Sequence, residues 1–204
     1  MTTFYLIRHG NTTAGSMISG RNRGYHLSEN GQRQAKRLGE RLANTHFDAI
    51  YCSPLERTME TAKAIADKHN MEAQILEKII EVDFGDWTGK SFDELESIQK
   101  WKLFHTFRSG TRIPNGENML EIQTRMINEI EGMYNKFPDG TVAIISHGDP
   151  IRTVITYYAG MPMDFMLRLN ISTASISIIT IDPWGAQIQC INDTDEIPEL
   201  KKKG

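Results

Sequence analysis

This sequence predicts an α/β domain, a three-layer sandwich in which a mostly parallel sheet lies between helices. Three observations lead there. Short apolar runs rich in β-branched or aromatic residues recur at 4–7 (FYLI), 48–52 (DAIYC), 73–76 (AQIL) and 141–146 (TVAIIS). Segments of helical period separate them, the alternation that covers a parallel sheet with helices. Near the end, ASISIITI runs into Asp182-Pro183-Trp184-Gly185, the residues of a type I turn, and then AQIQCI, which predicts an antiparallel hairpin at the sheet edge.

The elements between carry their own signals. A first helix starts at Ser28, with Ala35, Leu38 and Leu42 on its buried face. For the second, Ser53 reads as the N-cap, Pro54 as the first helical residue and Glu56 as the partner in a capping box, ahead of a stripe of Leu55, Met59, Ala62 and Ala66. A third opens at Ser91 with Glu94 in capping-box position, and a fourth carries Met119, Ile122, Met126, Ile130 and Met133 at core spacing. The tail DTDEIPELKKKG is charged and expected to fray.

Length and composition narrow the function. With 204 residues, the chain suits a single domain over 1–204 that buries roughly 70% of its extended surface. A net charge of −3 with both signs scattered predicts no nucleic-acid partner and no membrane surface. Cys52 and Cys190 are expected to be reduced thiols. No apolar run approaches ~18 residues, and MTTFYLIR meets a charge too early for a secretory leader, so a cytoplasmic protein with a small-molecule partner is expected. Monomer and homodimer are equally open.

The chemistry collects in three places. RHG follows the strand at 4–7, SPLERT the strand at 48–52 and SHG the strand at 141–146. In an open parallel sheet, ligands bind outside the carboxyl ends of the strands, so Arg8, His9, Arg57 and His147 should meet at one edge. Arg57 in the first turn of a helix sits badly with the local dipole unless an anion lies between them. Asp149-Pro150 reads as another N-cap and first-turn pair at the same edge. Two arginine forks, two imidazoles and nearby helix N-termini describe a phosphate pocket. The adjacent guanidinium groups should keep His9 neutral and able to attack. With no HExxH spacing, and arginines that would repel a cation, no metal and no other cofactor is expected.

LIRHGNT, LSENGQRQAKRLGERL, IYCSPLERTMETA, EVDFGDWTG, IPNGEN and IISHGDPIR occur in the order and approximate spacing of the histidine phosphatase superfamily, the phosphoglycerate-mutase-like group. The chain resembles that family from about Phe4 to Asp193, and within it the broad-specificity and α-ribazole phosphatases. The resemblance implies that His9 is the nucleophile of a phosphohistidine intermediate. It also implies that Arg8, Arg57 and His147, with Gly148 beside it, hold the phosphoryl oxygens, and that Glu81 is the proton donor. By residue type alone Asp83 and Asp86 rival Glu81, and a strand-like run from 81 to 83 would set Asp83 on the same face.

The chain departs from the family after RHG. Asn11, Ala14 and Gly15 stand where many members have an acid and a Trp-Asn pair, so the phosphate contact missing at position 15 is expected from Asn11, while Thr12 agrees with the family. ISGR at 18–21 resembles a pocket-lining segment, with Arg21 as a substrate contact. The stretch of about 90–117 is the expected cap, where Trp101, Phe104 and Phe107 either meet substrate or pack inward, and Arg108 and Arg112 either meet a second anion or stay in solvent. Only about 27 residues separate Gly89 from Glu117, too few for the longer covering segment of the family's cofactor-dependent mutases. Hydrolysis of a small phosphomonoester without metal is therefore the expectation. Mutase-type phosphoryl transfer is the alternative, and a non-catalytic binding module on the same fold comes third.

Overall fold

A computed structural model describes residues 1–15 and 17–195. Its strands, β1 (Thr2–Arg8), β2 (Ala49–Cys52), β3 (Gln74–Ile75), β4 (Thr141–Ser146), β5 (Ile176–Asp182) and β6 (Gly185–Asp193), form one sheet in the order β3-β2-β4-β1-β5-β6. β3, β2, β4 and β1 run parallel, and β5 and β6 add an antiparallel edge. The expected runs at 4–7, 48–52, 73–76 and 141–146 each supply a strand, and Asp182 Oδ1 closes the hairpin by accepting from Trp184 N and Gly185 N.

Alternation along β1 and β4 sends apolar side chains to both faces of the sheet. Phe4, Leu6, Val142 and Ile144 join a core with Met119, Ile122 and Met126 of α5 (Met119–Lys136) and Ile151 and Val154 of α6 (Gly148–Tyr158). On the other face Ile7, Ala143 and Ile145 pack with Leu38 and Leu42 of α1 (Glu29–Leu42) and Ala62 and Ile65 of α2 (Glu56–His69). The expected cap forms two short helices, α3 (Phe92–Glu96) and α4 (Gln99–Thr106), whose Leu95, Trp101 and Phe104 belong to the first of these cores. Trp87 meets Trp101 and Phe104 edge-on with centroids 5.1 and 5.3 Å apart. Phe107 is exposed.

Three caps work through side chains: Ser28 for α1, and capping boxes of Ser91 with Glu94 and Asn118 with Glu121 for α3 and α5. Two expected caps do not form. α2 starts at Glu56 with Leu55 as N-cap and no side-chain bond. Pro54 holds the residue before it out of helical geometry, and the Ser53 hydroxyl is taken by His147 Nε2 at 2.8 Å. α6 has His147 at the N-cap, with Asp149 inside the first turn. The Asp149 carboxylate is drawn sideways to Arg108 at 3.2 Å and Arg152 at 2.6 Å. In the tail, Asp193 ends β6 and takes Arg41 at 2.9 Å, so it is held rather than frayed; 196–204 lie outside the described residues.

Strand register decides where the functional edge lies. Arg8 stands opposite Ser146, and Cys52 opposite Ile145. The next residues extend the ladder, His9 N donating to Ser146 O and Ser53 N to Ile145 O, each at 3.1 Å. RHG, SPLERT and SHG thus leave the sheet side by side. The chain leaving β1 lies directly on the start of α1, where a Cβ on Gly31 would fall 1.9 Å from Asn11 O. Backbone atoms on both sides leave no flexible group to yield. Gly31→Ala is expected to cost about 3 kcal/mol of unfolding free energy, read by urea denaturation; a change below a few tenths would show that α1 can shift freely.

Candidate active site

Arg8 and His9 come from the end of β1, Arg57 from the first turn of α2, and His147 and Gly148 from the junction of β4 with α6. The structure brings all of them together, with the His9 and His147 rings 5.1 Å apart, centroid to centroid. His9, Arg57 and His147 are buried.

Hydrogen bonding selects the form of His9. Its Nδ1 lies 2.7 Å from Gly10 O, and a carbonyl can only accept, so the neutral ring carries its proton on Nδ1 and its lone pair on Nε2. Burial first, then the charges of Arg8 and Arg57, hold the imidazole well below its ordinary pKa against the opposing pull of Gly10 O. His147 is held down in the same way, by burial and then by His9, Arg57 and Arg8. With Nε2 engaged by Ser53, His147 turns Nδ1 toward Glu81 Oε2, 3.7 Å away.

The arginines are anchored by backbone carbonyls rather than by carboxylates. Arg8 donates to Ile171 O at 2.6 Å and Arg57 to Gly20 O at 2.7 Å. Among the described residues, Arg8 Nε, Arg57 Nη1 and His147 Nδ1 are buried without a protein partner. A buried donor left unpaired costs about 1–3 kcal/mol, more when charged. The two arginine donors at one corner, with the His147 ring and the uncapped starts of α2 and α6 beside them, suit a tetrahedral oxyanion. Gly148 lies against the Arg8 side chain, close enough that a Cβ there would stand in ordinary contact, 3.4 Å, with the guanidinium carbon.

Glu81 brings a carboxyl to the same corner. Its carboxyl accepts Val82 N at 2.9 Å through Oε1, and burial first, then the charge of Asp149, raise its pKa. No strand covers 81–83, so the face-sharing that would have made Asp83 its equal does not arise. Asp83 takes Gly85 N and lies 3.7 Å from Arg21, while Asp86 takes Asn115, both away from the imidazoles. A cavity of about 260 Å³ adjoins the corner, lined by Arg8, Glu81, Phe84, Trp101, Phe104 and Arg108 among others. Of the two alternatives, Trp101 and Phe104 pack inward, and they line the cavity as well.

Three expected roles need revision. Arg21 does not offer its guanidinium to the cavity: Nε donates to Glu81 O at 2.9 Å and Nη2 meets Glu117 at 2.8 Å. Asn11 is exposed with Oδ1 held by Ser28 Oγ at 2.7 Å, and Thr12 Oγ1 accepts from Ala14 N, so both serve the local turn. Of the two alternatives for Arg108, surface charge does not hold: it is buried in the cavity wall over the Phe104 ring, 4.3 Å from the centroid, paired with Asp149 and with Nε lacking a hydrogen-bond partner among the described residues, whereas Arg112 is exposed and paired with Glu121. Sequence reasoning also passed over Ser53 as the partner of His147, and Glu117 and Arg125. Only the IPNGEN motif hinted at Glu117.

A model of the histidine phosphatase superfamily (branch 1) matches residues 4–194. Phosphoserine phosphatase 1 of Hydrogenobacter thermophilus is 31% identical over 180 residues, 85% of this chain and 83% of that protein. The protein named "Probable phosphoglycerate mutase GpmB" of Yersinia pestis is 30% identical over 95% of this chain and 94% of its own. The α-ribazole phosphatase of Shigella flexneri superposes with a TM-score of 0.84 at 26% identity, covering 97% of this chain and all of that one, 100%.

The depressed imidazoles make stability depend on pH with a definite sign. Below the ordinary value of 6.5 the unfolded chain binds protons at His9 and His147 that the folded protein refuses, so stability present above that pH is lost on acidification. Each group contributes a slope of up to about 1.4 kcal/mol per pH unit. Urea denaturation between pH 7 and 5 should therefore fall less steeply for His9→Ala than for the parent, by about 1 kcal/mol per unit. Parallel slopes would show that His9 titrates alike in both states.

Proposed function

Because the chain belongs to the histidine phosphatase superfamily, branch 1, we propose that it hydrolyses a small phosphomonoester through a covalent intermediate on His9. The observation that carries this reading is the His9 ring: neutral, with its Nε2 lone pair free and unpaired arginine donors beside it. Nε2 attacks phosphorus while the P–O ester bond breaks. Arg8, Arg57 and His147 hold the three non-bridging oxygens as charge spreads over them in a loose transition state. Glu81, whose hold on its proton is strengthened by burial and by the charge of Asp149, gives that proton to the leaving alkoxide. Its carboxylate then takes a proton from water, whose oxygen bonds to phosphorus as the P–Nε2 bond breaks, releasing inorganic phosphate and restoring His9.

The two arginines supply the positive charge that a metal ion gives elsewhere, so the reaction is assigned to the protein's own side chains. The named relatives act on phosphoserine, phosphoglycerate or α-ribazole phosphate, and a 260 Å³ cavity suits alcohols of that size. Mutase-type transfer shares the first half-reaction, and likeness to GpmB keeps it as a second reading. It requires the phosphohistidine to be sheltered from water, and here the covering helices have only 5 and 8 residues.

His9→Ala should abolish turnover of 4-nitrophenyl phosphate and of an alkyl phosphate, and the parent should keep both activities in excess chelator. Activity surviving in that variant would reassign the nucleophile, and loss to the chelator would restore a metal to the reaction. Glu81→Gln should lower kcat on the alkyl ester by roughly a hundred- to ten-thousand-fold and far less on the aryl ester, whose oxyanion leaves unprotonated. Equal losses on the two would give Glu81 a structural part only.

A further inference from the structure

Glu81 sits on a stretch with no strand or α-helix to hold its backbone. Between the 3-10 turns at Glu77–Ile79 and Gly85–Trp87, the chain has no regular partners. Its polar groups must then be met by side chains, and those side chains come from far apart in sequence. Arg125, on α5, donates to Lys78 O at 2.5 Å and to Glu81 O at 3.2 Å. Arg21, on the loop after β1, donates to the same Glu81 O at 2.9 Å. Both lone pairs of that carbonyl are thereby filled. Ser146, at the end of β4, donates to Ile79 O at 2.7 Å.

One carboxylate joins the two arginines. Glu117 Oε1 meets Arg21 at 2.8 Å and Arg125 at 3.3 Å, while Oε2 accepts Asp83 N at 3.0 Å and the Glu117 backbone N donates to Asp83 O at 3.1 Å. Glu117 thus grips residue 83 directly and residue 81 through both arginines. Arg21 and Arg125 would repel each other without it, since Arg125 loses basicity through burial and through Arg21 and regains it from Glu117. The Glu81 carboxyl, three bonds beyond this fixed Cα, lies in the active corner.

We infer that Glu117, with Arg125 and Arg21, is a positioning device for Glu81: it aims the acid at the leaving oxygen without touching substrate. The inference rests on the reading of Glu81 as the proton donor. A device of this kind acts on one step alone. Displacing a reacting group by about 1 Å can cost on the order of a hundredfold, and the loss falls where proton delivery limits the rate.

Glu117→Gln places an amide among donors and keeps the size of the side chain. It should lower kcat on an alkyl phosphate about 10- to 100-fold, leave KM within about twofold, and lower kcat on 4-nitrophenyl phosphate less than about threefold. Added to Glu81→Gln it should cost nothing further on the alkyl ester, because its only target is already gone. Arg125→Lys, which keeps the charge but not the fork, should show the same selectivity more weakly, and it carries the test should Glu117→Gln fail to fold. Equal losses on both esters, or full additivity with Glu81→Gln, would overturn the inference while Glu81→Gln itself remained selective. If Glu81→Gln were unselective, the proton-donor reading would fall and the inference with it.

Discussion

Repulsion among cations in a buried corner governs this molecule. Arg8 and Arg57 lie beside two imidazoles, and the acids that bear on them are Glu81 on both, Asp149 on Arg8 and Glu56 on Arg57. Four positive charges could not coexist there, and the protein gives way at the groups that can lose a proton. Burial and the arginines together keep His9 and His147 neutral. The arginines stay charged because guanidinium deprotonates only at extreme pH. Their positions are held by carbonyl oxygens of Ile171 and Gly20, which orient them without neutralising them. Carboxylates in those places would have cancelled the field that sets the histidines.

Strand register is what lets such a corner exist. β1 and β4 end opposite one another and β2 one residue away, so three loops start from a common line. Backbone contact at Gly31 presses α1 against the first of them. The site therefore inherits its rigidity from the two apolar cores that clamp the sheet, and the loops need little structure of their own. The exception is the segment around Glu81, which leaves the sheet after β3 and depends on Arg21, Glu117 and Arg125 for its shape.

That difference explains what could be read from the sequence. The strands, the α1 face and the Met119 to Met133 stripe were legible because apolar period is a local property of the chain. Arg8, His9, Arg57 and His147 were legible because each follows a strand. Helix starts were less so: a Ser-Pro pair and an Asp-Pro pair both imitate caps, yet Ser53 is claimed by His147 and Asp149 by two arginines. Side chains that bond across more than 30 positions leave no periodic trace. Arg21 was for that reason misassigned to substrate, Arg108 was read without its partner Asp149, and Arg125 went unnoticed.

Proton inventory links these parts. With both imidazoles neutral, Arg8 and Arg57 bring two positive charges to the corner, matched to a phosphate monoester that carries nearly two negative ones at neutral pH. A protonated His9 would attract the ester more strongly and be unable to attack it, so the field that weakens binding by one charge is the same field that preserves the nucleophile. Asp149 completes the balance. Burial would push its carboxyl up, but Arg108 and Arg152 outweigh that and keep it ionised. Its charge in turn adds to burial in raising the pKa of Glu81. The arginine of the cap thus reaches the acid through Asp149, and the covering segment is tied to the chemistry electrostatically as well as by its aromatic wall.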